Sequence, residues 1–213
     1  MSSKNFDVLV LHDGINNKKL DTTLNSIDKQ LCHILLKVPQ PHKFNEYRGL
    51  DNNSITLIDE VDHSPGEAIN IMLKYLKNNY FQILPSGDTL SINYHKSVCN
   101  KLDDKCYDLI ISSSIIMSTA NKGLYMSENN IMKSFSMNFP KIHTSSLIFN
   151  TKIVRDNNIK FSYEYNYADD IDFILKFITH SNKKMLYIDN VYTKADIAGR
   201  SSKNAFSALF ECY

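Results

Sequence analysis

The sequence predicts an α/β fold, a single Rossmann-like domain whose mixed, mostly parallel central sheet is flanked by helices. Phe6 to Leu11 is an almost unbroken apolar run, as expected for a strand that is buried on both faces. Apolar strands then alternate with amphipathic helices through the first half of the chain, which is the pattern of β-α-β units. Polar turns follow these strands, at the end where parallel sheets bind ligands.

The composition narrows the functional classes. The 213 residues suit one large domain or two small ones, and Lys plus Arg number 24 against 23 for Asp plus Glu. This balance gives no basic signal for nucleic acid or for an acidic membrane surface. The four cysteines lack zinc-binding spacing and predict free thiols in a reducing, cytoplasmic setting. The sequence contains no signal peptide and no apolar run near the ~20 residues of a membrane-spanning helix.

The first half is predicted to contain four strands and two helices. The predicted strands are Phe6 to Leu11, Cys32 to Val38, Ser54 to Glu60 and Tyr80 to Leu84. The first helix, capped by Asn16 or Asn17, has a stripe formed by Leu20, Leu24, Ile27 and Leu31. Ser64 to Glu67 form a capping box for the second helix. Its stripe is Ala68, Ile69, Met72, Leu73 and Leu76, and Asn78-Asn79 end it.

The second half is predicted to be less regular. Helices are predicted around Ile92, Val98 and Leu102, and from Ala168 onward with the stripe Ile171, Ile174, Leu175 and Ile178. Strands are predicted at Tyr107 to Ile116, Lys141 to Asn150 and Met185 to Val191, with a hairpin turn at Asn121-Lys122-Gly123. The last segment, with Ala205 to Tyr213 at helical spacing, stops at an apolar residue. This ending indicates a fragment of a longer polypeptide with further domains.

Asp88 is the first candidate for chemistry, because it follows Pro85-Ser86-Gly87 in a turn directly after an apolar strand. A hard divalent cation such as Mg²⁺ or Mn²⁺ is held by one or two carboxylates together with substrate phosphate oxygens. The alternative is an ordinary structural turn, since Ser, Gly and Asp are all common turn residues. The residues alone leave both interpretations open.

Asp169 and Asp170, which open the late helix, form the second candidate. They either complement the helix macrodipole or include a general base that takes a proton from a substrate hydroxyl. Asp172 lies roughly 200° around the helix from Asp170, so these two carboxylates cannot share one site. The two interpretations of Asp169 and Asp170 are about equal on physical grounds.

Other residues carry weaker signals. His143 lies in an apolar stretch, where a core histidine is the commoner case and a catalytic one the rarer. His12-Asp13 ends the first strand, either as a simple turn or as a contact to a nucleotide base. Lys37 and Arg48 are either phosphate partners or solvated surface residues.

An aromatic loop and several absent motifs complete the survey. Tyr163, Tyr165 and Tyr167 alternate along the chain, so they either pack or form a platform on which a sugar stacks. No GxGxxG follows the first strand and no GxxxxGK[ST] is present, which argues against dinucleotide and P-loop enzymes. The absence of a GxSxG motif argues against a serine hydrolase of the elbow type.

Several stretches together resemble family 2 glycosyltransferases of the GT-A fold. Glu60-Val-Asp-His-Ser-Pro-Gly-Glu-Ala-Ile-Asn70 and Ile83-Leu-Pro-Ser-Gly-Asp88 resemble the subgroup whose DXD signature is reduced to Asn-Ser-Gly-Asp. Ile142-His143 resembles the family's His-Gln strand, Tyr167 to Phe173 its acidic helix start, and Gly199 to Ser202 its Gly-Ile-Ser-Ser loop. The resemblance covers nearly the whole chain in the expected order.

The resemblance implies an inverting, metal-dependent glycosyltransferase of residues 1–213, with a donor half at 1–115 and an acceptor half at 116–213. It implies that a UDP-linked hexose or deoxyhexose is held by His12, Asp13, Lys37, Asp62, Asn70, Ser86 and Gly87. Asp88 would bind Mn²⁺ or Mg²⁺ on the diphosphate, and Asp170 would deprotonate a hydroxyl of the glycan acceptor. His143, Asp169 and Arg200 would lie on the acceptor or diphosphate side.

Some residues depart from the family pattern. Pro85 replaces the usual Asn, Thr144 the usual Gln and Arg200 the usual Ile. Ser86 stands where the first DXD carboxylate would be, so Asp88 has to hold a metal largely alone. Two alternatives are a catalytically silent nucleotide-sugar-binding domain and a sugar nucleotidyltransferase. The latter class normally has a Gly-rich basic loop after its first strand, which this sequence lacks.

Overall fold

Strands and helices alternate along the first half of the chain, as predicted. The computed structural model describes residues 5–38, 46–102, 105–117, 123–125, 143–165 and 168–196. Its first elements are β1 (Phe6–Leu11), α1 (Asn17–Ser26), β2 (Cys32–Lys37), β3 (Ile55–Ile58), α2 (Pro65–Leu73) and β4 (Tyr80–Ile83). They are followed by β5 (Thr89–Leu90), α3 (Tyr94–Leu102), β6 (Leu109–Met117), β7 (Gly123–Tyr125), β8 (Leu147–Asn150), α4 (Thr151–Asp156), α5 (Asp169–His180) and β9 (Met185–Ala195). Short 3-10 helices lie at Arg48–Leu50 and Thr144–Ser146.

The described strands form one mixed sheet in the order β3-β2-β1-β4-β8-β6-β9-β5, with β7 paired to β6. β3, β2, β1 and β4 run parallel, whereas β8 lies antiparallel between β4 and β6. β9 is parallel to β6, and β5 pairs antiparallel with β9. This α/β sheet flanked by helices confirms the predicted fold class, and each of its antiparallel pairs includes β6, β8 or β9.

Both faces of the parallel strands are buried, which explains their unbroken apolar runs. One face of β1 places Phe6, Val8 and Val10 in a core that includes residues of α1 and α3. The other face places Leu9 in a core that includes residues of α2 and α5. Because side chains alternate along a strand, β1 leaves no polar face for water.

The predicted capping box fixes the start of α2. Ser64 Oγ accepts the N–H of Glu67 at 3.1 Å, and Pro65 occupies the first turn. The Glu67 carboxylate reaches back to the N–H of His63, the residue before the cap, at 2.7 Å. The helix ends at Leu73 rather than at Asn78-Asn79, although Leu76 in the following turn is buried as predicted.

α5 starts where predicted, but its buried face matches the predicted stripe only in part. Phe173 and Phe177 are fully buried, whereas Leu175, predicted to face the core, is 52% exposed. Both phenylalanines pack edge-on against Phe149 of β8, with ring centroids 5.4 and 5.1 Å apart. The prediction is confirmed for Ile174, which is buried, and for Ile178, which packs against the core. It was wrong for Leu175, because the aromatic contacts set the rotation of the helix.

Other predicted elements are shorter in the structure. The strand predicted from Lys141 to Asn150 is a 3-10 turn followed by β8, because the Ser146 N–H bonds back to the His143 carbonyl at 2.8 Å. The first helix ends at Ser26, so Leu31 lies beyond it. Ile92 is 90% exposed and precedes α3 rather than belonging to it. The short helix α4 was not predicted.

Several predictions concern residues outside the described ranges. These are the hairpin residues Asn121-Lys122, Ile142, Tyr167, the loop with Arg200, and the final segment from Ala205 to Tyr213. β7 pairs antiparallel with β6, with Gly123 opposite Met117, which is the arrangement expected of a hairpin. Of the helices in the described ranges, none is long and apolar enough to cross a membrane.

The amino-terminal edge of the parallel strands contains a buried acid-histidine pair. Asp7 of β1 lies 3.0 Å from the Nδ1 of His33 in β2, whose Nε2 lies 2.9 Å from Thr56 Oγ1. The Asp7 carboxylate also accepts the N–H groups of Lys77 and Asn78 at 2.6 and 2.8 Å, and the Asn78 side-chain amide at 2.8 Å. Burial acts to raise the pKa of Asp7, but these hydrogen bonds outweigh it and lower the pKa.

Candidate active site at the carboxyl edge of the sheet

The carboxyl ends of four parallel strands meet at one edge of the sheet. Leu11 pairs with Lys37, and Lys37 pairs with Ile58 on the next strand. Leu9 pairs with Ile83 on the other side of β1. The segments after these strands therefore bring most of the predicted donor residues to one side: His12, Asp13, Lys37, Asp62, Ser86, Gly87 and Asp88.

His12, after the end of β1, forms a hydrogen bond with the turn that follows β4. Its buried ring forms a hydrogen bond with Ser86 Oγ through Nδ1, at 3.0 Å. Its Nε2 lies 3.1 Å from the Tyr47 hydroxyl and 3.3 Å from Asn17 Oδ1. Tyr47 in turn donates to Asn17 Oδ1 at 2.7 Å. His12 is thus fixed by three elements of the chain and presents little of its own surface.

Lys37 and Asp62 form an ion pair at the ends of β2 and β3. The Lys37 side chain is only 3% exposed, and its ammonium also donates to the Val38 carbonyl at 3.2 Å. Asp62 is 14% exposed, so part of this pair faces solvent. Asp13, by contrast, is 63% exposed and accepts the Ile15 N–H at 2.9 Å, as in an Asx turn.

The turn from Ser86 to Asp88 is held against α1. Thr23 Oγ1 donates to the Asp88 carbonyl at 2.8 Å and accepts the Gly87 N–H at 2.9 Å. Gly87 has a φ of 108°, and a Cβ at this position would lie 2.9 Å from Asp196 Oδ2. Glycine satisfies both constraints, so the turn approaches the end of β9 closely.

The Asp88 carboxylate is buried, with one donor on each oxygen. Ser145 Oγ donates to Oδ2 at 2.7 Å, and the Asp196 N–H donates to Oδ1 at 2.8 Å. His143 Nδ1 lies 3.6 Å from Oδ2 and also contacts Ser145 Oγ. Since Ser145 gives its only proton to Asp88, His143 has to supply the proton of its contact with Ser145.

The electrostatic balance at Asp88 differs from that of an exposed carboxyl. Burial raises the pKa of Asp88, and the neighbouring Asp196 carboxylate adds to the rise. His143 and the hydrogen bonds from Asp196 and Ser145 act in the opposite direction without cancelling it. A cation placed beside this carboxylate would therefore favour its charged form.

One short turn joins the two predicted carboxylates. His143 and Ser145 contact Asp88, and Thr144, between them, donates its hydroxyl to Asp170 Oδ2 at 2.8 Å. Asp170 Oδ1 accepts the N–H of Ile171 at the start of α5, at 2.8 Å. Asp88 and Asp170 therefore lie on either side of the same segment, although 81 other residues separate them in sequence.

A buried polar network supports this turn from inside the protein. Gln82 of β4 donates to the Ser145 carbonyl at 2.6 Å and to the Tyr94 hydroxyl at 3.2 Å. Tyr94 pairs with Ser112 Oγ at 2.8 Å, and Ser112 reaches the Ser146 carbonyl at 3.2 Å. All of these residues are at most 2% exposed. Because each polar group has a partner, the network fixes the turn relative to the sheet.

Asn70 and Asp169 lie near the loop at Phe161. The Asn70 amide donates to the Phe161 carbonyl and accepts the Phe161 N–H, both at 2.9 Å. This pairing fastens α2 to the loop at Phe161. Asp169 Oδ2 lies 3.1 Å from where a Cβ of Gly66 would be, and Phe161 Cβ lies 3.3 Å from the same point. Gly66 thus lets α2, α5 and the loop at Phe161 approach one another.

Some residues of this edge could not be found from the sequence. Tyr47, Thr23, Ser145 and Asp196 contact predicted site residues, but each is a common polar residue without a motif. Arg200, predicted on the acceptor or diphosphate side, lies outside the described residues.

A divalent cation would find a partial ligand set here. Each Asp88 oxygen uses one acceptor position and keeps another, and the Asp196 carboxylate and His143 lie beside it. Within the described ranges, no group of three or more His, Cys, Asp or Glu side chains is placed to hold a metal ion. Mg²⁺-type cations are often completed by substrate phosphates. The residues therefore fit a cation whose remaining ligands come from a bound diphosphate.

The same fold occurs in solved structures. S. aureus TarS 1-349 in complex with UDP-GlcNAc matches with a TM-score of 0.69 and 17% identity, over 90% of this chain and 58% of that chain. The complex of TarS 1-349 with UDP matches with a TM-score of 0.68 and 17% identity, over 91% and 61%. S. aureus TarS itself gives 0.68 and 16%, over 98% and 39%. No protein-family model and no curated protein matches the sequence.

Proposed function

We propose that the chain is an inverting glycosyltransferase that moves a sugar from a nucleoside diphosphate sugar, with UDP as the nucleotide, to a hydroxyl of a glycan acceptor. The observation that carries the proposal is the turn at Thr144–Ser146, which contacts Asp88 on one side and Asp170 on the other. A sugar donor and an acceptor hydroxyl have to meet in one site, and each carboxylate suits one of them. The fold, shared with a chain solved with UDP-GlcNAc, supports a nucleotide sugar as the ligand.

The donor half, residues 1–115, would bind the nucleotide. A uracil ring presents one N–H donor between two carbonyl acceptors, which matches the acceptor Asp62 and the donor Lys37. Asp13 is exposed at the end of β1 and would accept from ribose hydroxyls. His12 would keep Ser86 in position through their hydrogen bond. The sugar diphosphate would then lie along the turn from Ser86 to Asp88.

Asp88 would carry the metal ligand role. A bound Mn²⁺ or Mg²⁺ supplies positive charge that stabilises the departing nucleoside diphosphate. Ser145 and the Asp196 N–H hold the two Asp88 oxygens in fixed directions. Thr23 fixes the backbone of the same turn, so the carboxylate keeps its orientation when the diphosphate leaves.

Asp170 would act as the general base in the acceptor half, residues 116–213. The acceptor oxygen attacks the anomeric carbon, its proton passes to Asp170, and the bond between that carbon and the diphosphate oxygen breaks. The electron pair of that bond leaves with the nucleoside diphosphate, and one displacement inverts the anomeric centre. Thr144 and the N–H of Ile171 hold the two Asp170 oxygens.

A thermal-shift screen tests this proposal. The chain is melted with UDP-, GDP-, CDP- and ADP-linked sugars, each with and without Mn²⁺. A UDP-sugar is expected to raise the melting temperature, because a ligand at a hundredfold excess over Kd adds ~2.7 kcal/mol of stability. No shift with any donor would contradict the proposal. A shift without sugar transfer would indicate a silent binding domain, and pyrophosphate release from a nucleoside triphosphate would indicate a nucleotidyltransferase.

A cytoplasmic location is part of the proposal. Cys99 and Cys106 are free thiols in the structure, which is the ordinary state in a reducing compartment. Fractionation of intact cells that express a tagged chain, followed by detection of the tag in the cytosolic fraction, tests this location. Recovery of the tag in a secreted or membrane fraction would contradict it.

A further inference from the structure

Lys19 brings a positive charge to the turn from Ser86 to Asp88. Lys19 and Thr23 are four residues apart in α1, so they lie on one face of the helix, and Thr23 makes two hydrogen bonds to this turn. Lys19 Cδ lies 3.4 Å from where a Cβ of Gly87 would be. The Lys19 ammonium forms an ion pair with Asp196, and its side chain is 39% exposed.

The charges around this turn leave a role for Lys19. Asp88 and Asp196 are both acidic and adjoin each other, since the Asp196 N–H donates to Asp88. A diphosphate placed along the turn would add negative charge to these two carboxylates. Lys37 is committed to Asp62 at the other end of the site, with a side chain 3% exposed. Lys19 is closer to the turn and keeps more of its side chain open to solvent.

We propose that Lys19 binds the diphosphate of the bound nucleotide, with Asp196 holding the ammonium at the turn until the diphosphate arrives. A lysine ammonium is a compact charge with three donors, which suits phosphate oxygens without demanding a fixed geometry. This inference rests on the proposed function, because it assumes that a nucleoside diphosphate occupies the carboxyl edge of the sheet. It adds a cationic residue next to Ser86, where the sequence lacks a second carboxylate.

A purely structural role for Lys19 makes a different forecast. In that case the ion pair between Lys19 and Asp196 only fastens the end of β9 to α1. Partly exposed pairs of this kind contribute little to stability. Removing either partner would then have the same effect on nucleotide binding, through the same loosening of the turn.

Calorimetric titrations of the full chain with uridine, UMP and UDP distinguish the two roles. Lys19→Gln removes one positive charge at the turn, and Lys18→Gln removes one from the exposed neighbouring position of the same helix. Lys19→Gln is expected to weaken UDP binding about tenfold, equivalent to ~1.4 kcal/mol, and UMP binding by less. Uridine affinity should stay within about twofold, and Lys18→Gln should leave all three affinities within the same limit.

Asp196→Asn completes the test, because the substitution keeps the backbone N–H that contacts Asp88. In titrations without a divalent cation it is expected to strengthen UDP binding, since it frees the ammonium and removes one repelling charge. The inference is overturned if Lys19→Gln behaves like Lys18→Gln, if uridine affinity falls as much as UDP affinity, or if Asp196→Asn weakens UDP as Lys19→Gln does. Failure of the unaltered chain to bind UDP would overturn this inference and the proposed function together. Binding of UDP that is indifferent to Lys19 would overturn this inference alone.

Discussion

Two buried aspartates, each beside a histidine, lie at opposite edges of the sheet and differ in their electrostatics. Asp7 lies 3.0 Å from His33 and accepts three further hydrogen bonds from Lys77 and Asn78, and its pKa is lowered. Asp88 accepts two hydrogen bonds and lies 3.6 Å from its histidine, and its pKa is raised, chiefly by burial. Burial is therefore compensated at Asp7 and not at Asp88.

The difference separates a structural carboxylate from one that is available to a ligand. At Asp7 the protein supplies enough donors to stabilise the charge, so the group fastens β1, β2 and the turn after α2. At Asp88 the protein leaves the charge incompletely stabilised and keeps acceptor positions open. Perturbed carboxyls of this kind concentrate at functional sites, because a ligand or a cation can complete their environment. A histidine nearby does not by itself distinguish the two cases.

The largest expected effect is a difference in the free energy of unfolding between variants of the two aspartates. Asp7→Ala should lower the free energy of unfolding by about 3–5 kcal/mol, because it leaves His33 and the backbone donors of Lys77 and Asn78 without their buried acceptor. Asp88→Ala should cost less, since it also removes a carboxylate whose burial is poorly compensated. Urea unfolding of both variants at neutral pH measures the difference. Equal losses of unfolding free energy in the two variants would contradict the distinction between Asp7 and Asp88.

A third buried group, His95, extends the comparison to the pH dependence of stability. Burial lowers the pKa of His95 to about 4, and its Nδ1 has no hydrogen-bond partner among the residues that the structure describes. The folded state keeps His95 neutral, whereas the unfolded chain binds a proton below its ordinary pKa of 6.5. The contribution of neutral His95 to the free energy of unfolding is therefore complete above pH 6.5. It is lost as the pH falls toward 4, by at most about 3 kcal/mol.

His95→Phe provides the control for this pH dependence. Urea unfolding at several pH values between 4 and 6.5 should show a steeper loss of stability for the unaltered chain than for the variant. Whatever His95→Phe costs at neutral pH, the difference between the two proteins should shrink as the pH falls. Parallel curves would mean that burial does not control the protonation of His95, and would weaken the same argument for Asp88.

The smallest effect concerns the turn that joins the two carboxylates. Thr144→Val removes the hydroxyl that donates to Asp170 and keeps the shape of the side chain. Donor hydrolysis should slow about tenfold, the equivalent of one lost hydrogen bond to a charged group, with UDP affinity unchanged. The control is Thr179→Val. Thr179 lies on α5, the helix that carries Asp170, and donates its hydroxyl to the Leu175 carbonyl, so this variant should change neither quantity. A loss of UDP affinity in Thr144→Val would contradict the assignment of donor binding to Asp88 and of proton transfer to Asp170.

Local sequence signals predicted the parallel half well. The apolar run of β1 and the capping box at Ser64 depend on residues close in sequence, and both are confirmed. The turn at Thr144–Ser146 was missed because its serines sit inside an apolar stretch that also fits a strand. Its shape is determined by carbonyl contacts to Gln82 and Ser112, which are far away along the chain.

The candidate site was predictable only in part for the same reason. Asp88 follows a strand in a recognisable turn, so the sequence places it at the carboxyl edge. Its donors come from Ser145 and Asp196, 57 and 108 residues later, and neither belongs to a recognisable motif. The ion pair of Lys19 with Asp196 spans 177 residues. Such contacts depend on the order of strands in the sheet, which the sequence pattern leaves open.

The central claim is that Asp170 is the base of a site whose donor is bound at Asp88. Its most direct test compares Asp170→Asn with Asp172→Asn, a matched acid on the same helix that is paired with Lys176. UDP affinity and the rate of UDP-sugar hydrolysis are measured for both variants and the unaltered chain. Asp170→Asn should slow hydrolysis about 10²–10⁴-fold and leave UDP affinity unchanged, whereas Asp172→Asn should change neither. Hydrolysis by Asp170→Asn at the rate of the unaltered chain would contradict the claim.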